Sequence, residues 1–384
     1  MCSSHAAYAS STVQASVLHG AKDLRLEARE LAPPATGEVQ VAVRATGLCG
    51  SDLHYYGHYC NGDILVREPL SLGHESSAEV VAVGEGVSSL QVGDRVALEV
   101  GQPCGSCARC KEGRYNICPE MRFRSSAKSF PHAQGTLQER LNHPAAWCHK
   151  LPDSMPWGVS ALLEPLGVAI QATRRANLSD KKAQQVLVLG AGAVGLLVAG
   201  MCKVSGVPNV VIADVDANRV HFATQKKFAD AAYVVPMGPR PATTEEALTT
   251  ARQTADTITS LPGVSGQVDV VFECTGVPSC VQAAIYATRP GGKVMLIGMG
   301  TPVQTLPISA AALREVDICG VFRYANTYAE GIDILSTHSE DGPDFASLIT
   351  HEYKGLAAVE DAFAMASRKE DDNGKLVIKV LVIN

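Results

Sequence analysis

Three groups of residues in this sequence have types and spacings suited to chemistry. Cys104, Cys107, Cys110 and Cys118 stand as C-x2-C-x2-C-x7-C in a loop bearing Gly and Pro. That spacing lets four thiolates converge tetrahedrally on one zinc ion, and a site so closed is structural because no position remains for substrate. Gly190-Ala-Gly192-Ala-Val194-Gly195 follows an apolar run and opens an apolar helix-like stretch, with Asp214 ending the next run about 20 residues later. Such glycines let a backbone turn tightly and approach a pyrophosphate, a helix N-terminus supplies free N–H groups, and the acid accepts hydrogen bonds from an adenosine ribose. The same carboxylate repels a 2′-phosphate, so Asp214 favours NAD over NADP, and nearby Arg219 is better suited to stacking over the adenine than to clamping a phosphate. The third group is scattered: Cys49 in Gly47-Leu-Cys49-Gly-Ser51-Asp-Leu-His54, then Gly73-His74-Glu75, then Leu163-Glu164-Pro165. Singly each is weak, since a lone histidine is more often structural and an acid before proline more often a turn or cap. Together they offer one thiolate, one imidazole and two carboxylates, enough for an open zinc site with room for a water or an alcohol.

Such groups need elements to position them. Before about residue 150, short apolar runs (Val39 to Val43, Ala78 to Val83, Arg95 to Val100) are separated by Gly and Pro clusters, the texture of an irregular β-rich domain. From Gln184 the buried runs recur at about 20 to 35 residues: Val186 to Gly190, Val210 to Asp214, Ala231 to Val235, Asp269 to Cys274, Lys293 to Gly298 and Ile318 to Phe322. Helix-like stretches lie between most of them, which predicts an α/β architecture with a doubly wound parallel sheet. Thr243 with Glu246 fits a capping box opening an amphipathic helix through about Ser260. The tail predicts a helix over Ala357 to Ser367 and a β-branched strand over Lys375 to Ile383 that could pair back onto the first domain.

Composition bounds the function classes. The 384 residues are 46% hydrophobic and 19% charged, enough apolar content for two large cores and too much for global disorder. With 33 basic against 39 acidic residues, a net charge of −6 and no basic cluster, nucleic acid is excluded as a partner. The longest uncharged runs, Ala183 to Cys202 and Val294 to Leu313, are interrupted by Gly190, Gly192, Gly195, Gly298, Gly300 and Pro302, so membrane crossing is not expected. Twelve cysteines in so long a chain do not make a disulfide scaffold. The start has no basic region followed by an apolar one, and the end is no retention or peroxisomal address, so a reducing, cytoplasmic setting is the expectation.

Taken in order, the Cys49 segment, Gly73-His74-Glu75, the four-cysteine lobe and Gly190 to Gly195 resemble the zinc-dependent medium-chain alcohol dehydrogenases over nearly the whole chain. Within that superfamily, Glu164 in place of a cysteine at the third catalytic ligand position resembles the sorbitol (L-iditol 2-) dehydrogenase branch. The run Arg314-Glu-Val-Asp-Ile-Cys-Gly-Val-Phe-Arg323-Tyr324-Ala-Asn-Thr points the same way. Xylitol and L-arabinitol dehydrogenases are close neighbours. The resemblance implies a GroES-like catalytic domain over 1–165 with a structural zinc lobe at about 101–120, and a Rossmann NAD-binding domain over 166–306. A return segment, 307–384, completes the edge of the cofactor sheet and then the catalytic domain.

The resemblance also implies one catalytic and one structural zinc per chain. Cys49, His74 and one of Glu75 or Glu164 would bind the catalytic ion, the other carboxylate holding its water. Substrate contacts would come from Tyr55, Glu164, Arg323 and Tyr324, and cofactor contacts from Val194, Asp214, Arg219, Ile297-Gly298-Met299 and Val321-Phe322-Arg323. Ser51 resembles the hydroxyl of the family's proton relay, and His54 on the next turn could pass the proton outward. The implied reaction is reversible oxidation of a polyol to a ketose with hydride passing to NAD, by a homo-oligomer. Three features depart from the pattern: all four lobe cysteines are kept, Met121 to Gly135 is basic and Ser-rich, and Pro236 to Pro262 is long. A dehydrogenase of another secondary alcohol (L-arabinitol, threonine or a specialised metabolite) is one rival, opposed by Arg323-Tyr324. A non-catalytic NAD-binding protein is the other, opposed by Cys49, Ser51, His74, Glu75 and Glu164 occurring together.

Overall fold

The structure, a computed structural model, describes residues 10–178, 183–337 and 341–384. Strands β1 (Ser11–Gly20) and β2 (Asp23–Leu31) pair antiparallel. Strand β3 (Glu38–Gly47) buries Val39, Val41, Val43 and Ala45, the two-residue period of a strand with one face on a core. Helix α1 (Gly50–His58) follows, then β4 (Glu75–Val83), β5 (Arg95–Leu98), β6 (Arg140–Pro144) and β7 (Cys148–Lys150). The four cysteines lie in the excursion between β5 and β6.

Helix α2 (Leu163–Ala176) leads on to β8 (Gln185–Leu189), α3 (Ala193–Val204), β9 (Asn209–Asp214), α4 (Ala217–Gln225), β10 (Ala231–Val234), α5 (Thr244–Thr259), β11 (Val268–Glu273), α6 (Pro278–Ala287), β12 (Thr288–Leu296) and β13 (Asp317–Gly320). The six strands form one parallel sheet in the order β10-β9-β8-β11-β12-β13, the doubly wound arrangement that the apolar runs predict. Two edges differ from expectation. β12 begins at Thr288 because that residue pairs with Val268 across a register shift, and β13 stops at Gly320, after which Arg323 turns the chain with φ 49°. Thr243 caps α5 by accepting the Glu246 N–H at 3.1 Å, while the Glu246 carboxylate takes the Ala242 N–H at 2.8 Å.

The tail then returns. Strand β14 (Ile349–Lys354) and helix α7 (Val359–Ala366) precede β15 (Lys379–Ile383), which pairs parallel with β14 and antiparallel with β3. The sheet order is β7-β5-β4-β3-β15-β14, with β6 also on β3. The strand starts four residues later than the apolar run suggests, because Glu370 and Leu376 bridge across a turn first. One compact unit thus runs to Glu164 and takes back Tyr328–Ser336 and Ile349–Asn384. The other holds Pro165–Thr327 and a segment ending at Leu348. Among the described residues no helix is long and apolar enough to cross a membrane.

Candidate active site

Strand pairing gathers the first unit's reactive residues at one end of its sheet. Gly47, the last residue of β3, faces Glu75, the first of β4, and also Leu381 of β15. Cys49 lies two residues beyond β3 and His74 immediately before β4, so the ligand atoms of Cys49, His74 and Glu75 all fall within 4.8 Å of one another. Gly47 makes room for this: a Cβ there would sit 2.2 Å from Glu75 Oε2. Asp52, in the first turn of α1 and fully buried, accepts the Cys49 N–H and the Gly73 N–H, each at 3.1 Å, and lies 3.2 Å from His74 Nδ1. With Nδ1 turned to a carboxylate, His74 has Nε2 left for a metal.

Burial opposes charge on Asp52, but His74, the Ser125 hydroxyl and the Cys49 N–H hold its pKa below the ordinary value. Burial likewise opposes charge on His74, and the Asp52 carboxylate overrides it, pushing the imidazole well above its usual value.

Lys379, at the head of β15, reaches both oxygens of Glu75 at 2.7 and 2.6 Å and the Leu48 carbonyl at 3.1 Å. Lys379 is 3% exposed and Glu75 1%. Desolvation works to discharge this lysine, yet Glu75 and Cys49, with Glu164 farther down, hold its pKa above the ordinary value. Glu164 is buried at the start of α2 and lies outside the trio of converging ligand atoms. Ser51 is half-buried on the first turn of α1 and His54 is exposed one turn on, its ring 6.2 Å from that of His58. Tyr55 is 2% exposed, in the core with Leu72 and Phe363, and its hydroxyl accepts the Ala127 N–H at 3.2 Å.

The lobe thiols approach one another at 3.5 Å (Cys107 and Cys110), 3.5 Å (Cys104 and Cys118), 3.9 Å (Cys107 and Cys118) and 4.0 Å (Cys104 and Cys110). A tetrahedron of thiolates around zinc has edges of about 3.8 Å for Zn–S bonds near 2.3 Å, so the lobe fits the ion without rearrangement. The Ser106 and Cys107 backbone N–H groups lower the Cys104 thiol to about 6, and burial pushes Cys110 up to about 12. Tyr115, within the lobe, donates to the buried Glu99 carboxylate at 2.6 Å, and His149 Nε2 lies 2.7 Å from the other Glu99 oxygen.

The second unit holds the glycine turn. Gly190 has φ +100°, and a Cβ on Gly195 would fall 1.8 Å from the Gly190 carbonyl oxygen, so the turn closes only on glycine. Helix α3 starts at Gly192 with no side chain capping it, and Val194 is half-buried in its first turn. A Cβ on Gly192 would meet nothing nearer than Arg219 Nη1 at 3.8 Å, an open backbone cradle beside a guanidinium, which fits a pyrophosphate there. Asp214 is held at the end of β9 by the Ala191 N–H at 2.6 Å and the Asp216 N–H at 2.9 Å.

Ile297 and Gly298 both donate to the Glu273 carbonyl at 2.9 Å, and the Glu273 carboxylate takes the Thr275 and Gly276 N–H groups at 2.7 and 3.0 Å. Met299 and Phe322 are exposed, while Val321 bonds back to Leu296. The Arg323 guanidinium lies 4.8 Å from the Phe322 ring, and Tyr324 is buried against Gly167. Arg323 and Tyr324 belong to this unit, whereas Cys49, His74, Glu75 and Glu164 belong to the other. Sequence reasoning missed Lys379, Asp52, Ser125 and Glu273. A single lysine inside the run Val-Ile-Lys379-Val-Leu-Val-Ile was the one readable signal, since a charge amid buried strand residues needs a partner.

Residues 35–153 match the family described as alcohol dehydrogenase GroES-like domain, and residues 193–337 the family described as zinc-binding dehydrogenase. The chain is 38% identical over 363 residues to a sorbitol dehydrogenase of Gallus gallus, covering 94% of this chain and 95% of that protein. An L-idonate 5-dehydrogenase of Escherichia coli superposes with a TM-score of 0.82 at 26% identity, covering 98% of this chain and 99% of the other. An alcohol dehydrogenase of Escherichia coli complexed with NADH superposes with a TM-score of 0.79 at 27% identity, covering 97% and 100%. With Cys49, His74 and Glu75 converging at a sheet end, four clustered cysteines and a glycine turn on a doubly wound sheet, the chain belongs to the zinc-dependent medium-chain dehydrogenases, in their sorbitol dehydrogenase branch.

Proposed function

We propose that this protein is an NAD-dependent zinc polyol dehydrogenase that interconverts a secondary alcohol of sorbitol, L-iditol or xylitol type with the ketose. The observation that carries the reading is the convergence of Cys49, His74 and Glu75 within 4.8 Å in a chain of that branch. These three residues would hold a catalytic zinc and Cys104, Cys107, Cys110 and Cys118 a structural one. When bound, the catalytic ion supplies a Lewis acid that lowers the pKa of an alcohol hydroxyl. Ser51 then takes up the hydroxyl proton and the exposed His54, one turn along α1, hands it to solvent. Glu164 accepts from a neighbouring polyol hydroxyl, and Arg323 and Tyr324 bond others, so a simple alcohol leaves polar groups unpaired and is a poor substrate.

In the cofactor unit, Asp214 accepts the adenosine ribose hydroxyls and repels a 2′-phosphate, which favours NAD over NADP. Arg219 stacks over the adenine. Ile297, Gly298, Met299, Val321 and Phe322 line the nicotinamide half. The eleven described cysteines are free thiols, which suits a reducing, cytoplasmic setting. Among the described residues β13 is the last strand of its sheet, and Leu313, Val303 and Ile308 are exposed, which suits pairing with a second copy in a homo-oligomer.

Absorbance of reduced nicotinamide, followed with sorbitol, xylitol, L-arabinitol, ethanol and threonine in parallel, tests the reading. Turnover of one polyol well above ethanol is expected. Turnover of threonine alone would move the substrate outside sugar alcohols.

A further inference from the structure

The Asp52 carboxylate receives its shortest contact from a residue far along the chain. Ser125 Oγ donates to Asp52 Oδ1 at 2.6 Å, against 3.1 Å for the Cys49 and Gly73 amides and 3.2 Å for His74 Nδ1. Ser125 is itself buried, and its backbone stands in the left-handed region with φ 61°. That conformation costs a residue with a side chain about 1–2 kcal/mol, and glycine would adopt it freely. A serine kept there points to a use for its hydroxyl.

The surrounding segment is built to hold that hydroxyl still. The Ser125 N–H bonds to the Ala133 carbonyl at 2.9 Å and the Arg124 N–H to the Val100 carbonyl at 3.2 Å. The Arg124 guanidinium spans His143 Nδ1 at 3.1 Å, the Gln134 carbonyl at 3.0 Å and the Asn142 carbonyl at 2.5 Å. Two residues on, the Ala127 N–H rests on the hydroxyl of Tyr55, on the same helix as Asp52. The basic, Ser-rich stretch from Met121 to Gly135 thus meets α1 twice, once at the core and once at the carboxylate that orients His74.

We propose that Ser125 is a positioning residue of the catalytic metal centre: its hydroxyl fixes the rotamer of Asp52, which fixes the ring of His74, and so governs how firmly the centre holds its zinc. The inference rests on the reading of Cys49, His74 and Glu75 as a zinc site. Hydrogen-bond partners of a metal-bound histidine commonly contribute 10- to 100-fold in metal affinity, and Ser125 stands one step behind such a partner.

The test is the release of zinc to a chromogenic chelator from the full-length protein, alongside thermal unfolding. Cys49→Ser in the same assay identifies the release phase that belongs to the catalytic centre, separate from that of the cysteine lobe. Ser125→Gly removes the hydroxyl while relieving the backbone; the lost donor to Asp52 and the relieved angle roughly offset, so its melting temperature should stay close to that of the parent. Its catalytic zinc should leave roughly ten times faster or more, with the lobe zinc unchanged. In an Asp52→Ala background, which removes the acceptor, the same Ser125→Gly change should add nothing, because the hydroxyl acts only through that carboxylate. Release from Ser125→Gly within about twofold of the parent would overturn the proposal. So would an equal acceleration by Ser125→Gly in the Asp52→Ala background. A parent protein whose zinc content is unaltered by Cys49→Ser would instead defeat the metal-site reading itself.

Discussion

Replacing Lys379 by methionine removes a positive charge from a place that water does not reach. Its ammonium touches both Glu75 oxygens at 2.7 and 2.6 Å and the Leu48 carbonyl, with both side chains almost wholly buried. At an effective dielectric of about 20, a 2.6 Å contact between unit charges is worth roughly 6 kcal/mol before desolvation is charged against it. Removing one partner of a buried pair typically costs about 3–5 kcal/mol, because the other charge stays behind uncompensated. For a unit of this size each kcal/mol is about 2–4 °C in Tm, so Lys379→Met should melt roughly 6–20 °C below the parent. A cation among Cys49, His74 and Glu75 compensates part of the orphaned charge, so the loss should be larger in chelator-treated protein than in zinc-loaded protein. Adding Glu75→Gln to Lys379→Met should recover part of the metal-free loss, since the stranded carboxylate disappears with it. Circular dichroism melts of the three proteins in both metal states measure all of this. A metal-free Lys379→Met protein melting within about 1 °C of the parent would show that the pair is not what holds this end of the sheet together.

Other expectations follow from single contacts. Burial, aided by the Arg124 guanidinium, holds the His143 pKa well below its usual value. The unfolded chain, titrating near about 6.5, then takes up a proton that the fold refuses, so this contribution is complete above about pH 6.5 and fades as the pH falls below it. Melting temperatures between pH 7.5 and 5.5 should accordingly drop less in His143→Gln than in the parent, and equal slopes would contradict the assignment. Gly195→Ala would place a Cβ 1.8 Å from the Gly190 carbonyl oxygen. NADH affinity, read from nicotinamide fluorescence, should weaken roughly tenfold or more, and unchanged binding would remove the glycine turn from the cofactor site. Tyr115→Phe strips one donor from the buried Glu99 carboxylate and should cost about 1–3 kcal/mol by urea unfolding without lowering zinc content.

What could be read from the sequence was local. The four lobe cysteines, the glycine turn with Asp214, and the six apolar runs each declare themselves within about 30 residues, since spacing and period are properties of short stretches. The catalytic trio was readable only as a set of candidates, because Cys49 and His74 become neighbours through the pairing of β3 with β4. Lys379 lies 304 residues from its partner, and no local pattern specifies a β15 that inserts beside β3. Ser125 stayed hidden because its role depends on a left-handed backbone angle that serine rarely adopts. The burial of Tyr55 was likewise not legible, because the side of α1 that faces the core is set by contacts with Leu72 and Phe363, far along the chain.

Metal content and turnover, measured together on the parent and on Cys49→Ser, test the central claim most directly. The parent should carry about two zinc per chain and reduce NAD with a polyol, and a chelator should stop it reversibly. Cys49→Ser should keep about one zinc, in the lobe, and lose polyol oxidation. A Cys49→Ser protein that oxidises polyols at the parent rate would contradict a catalytic zinc at this site.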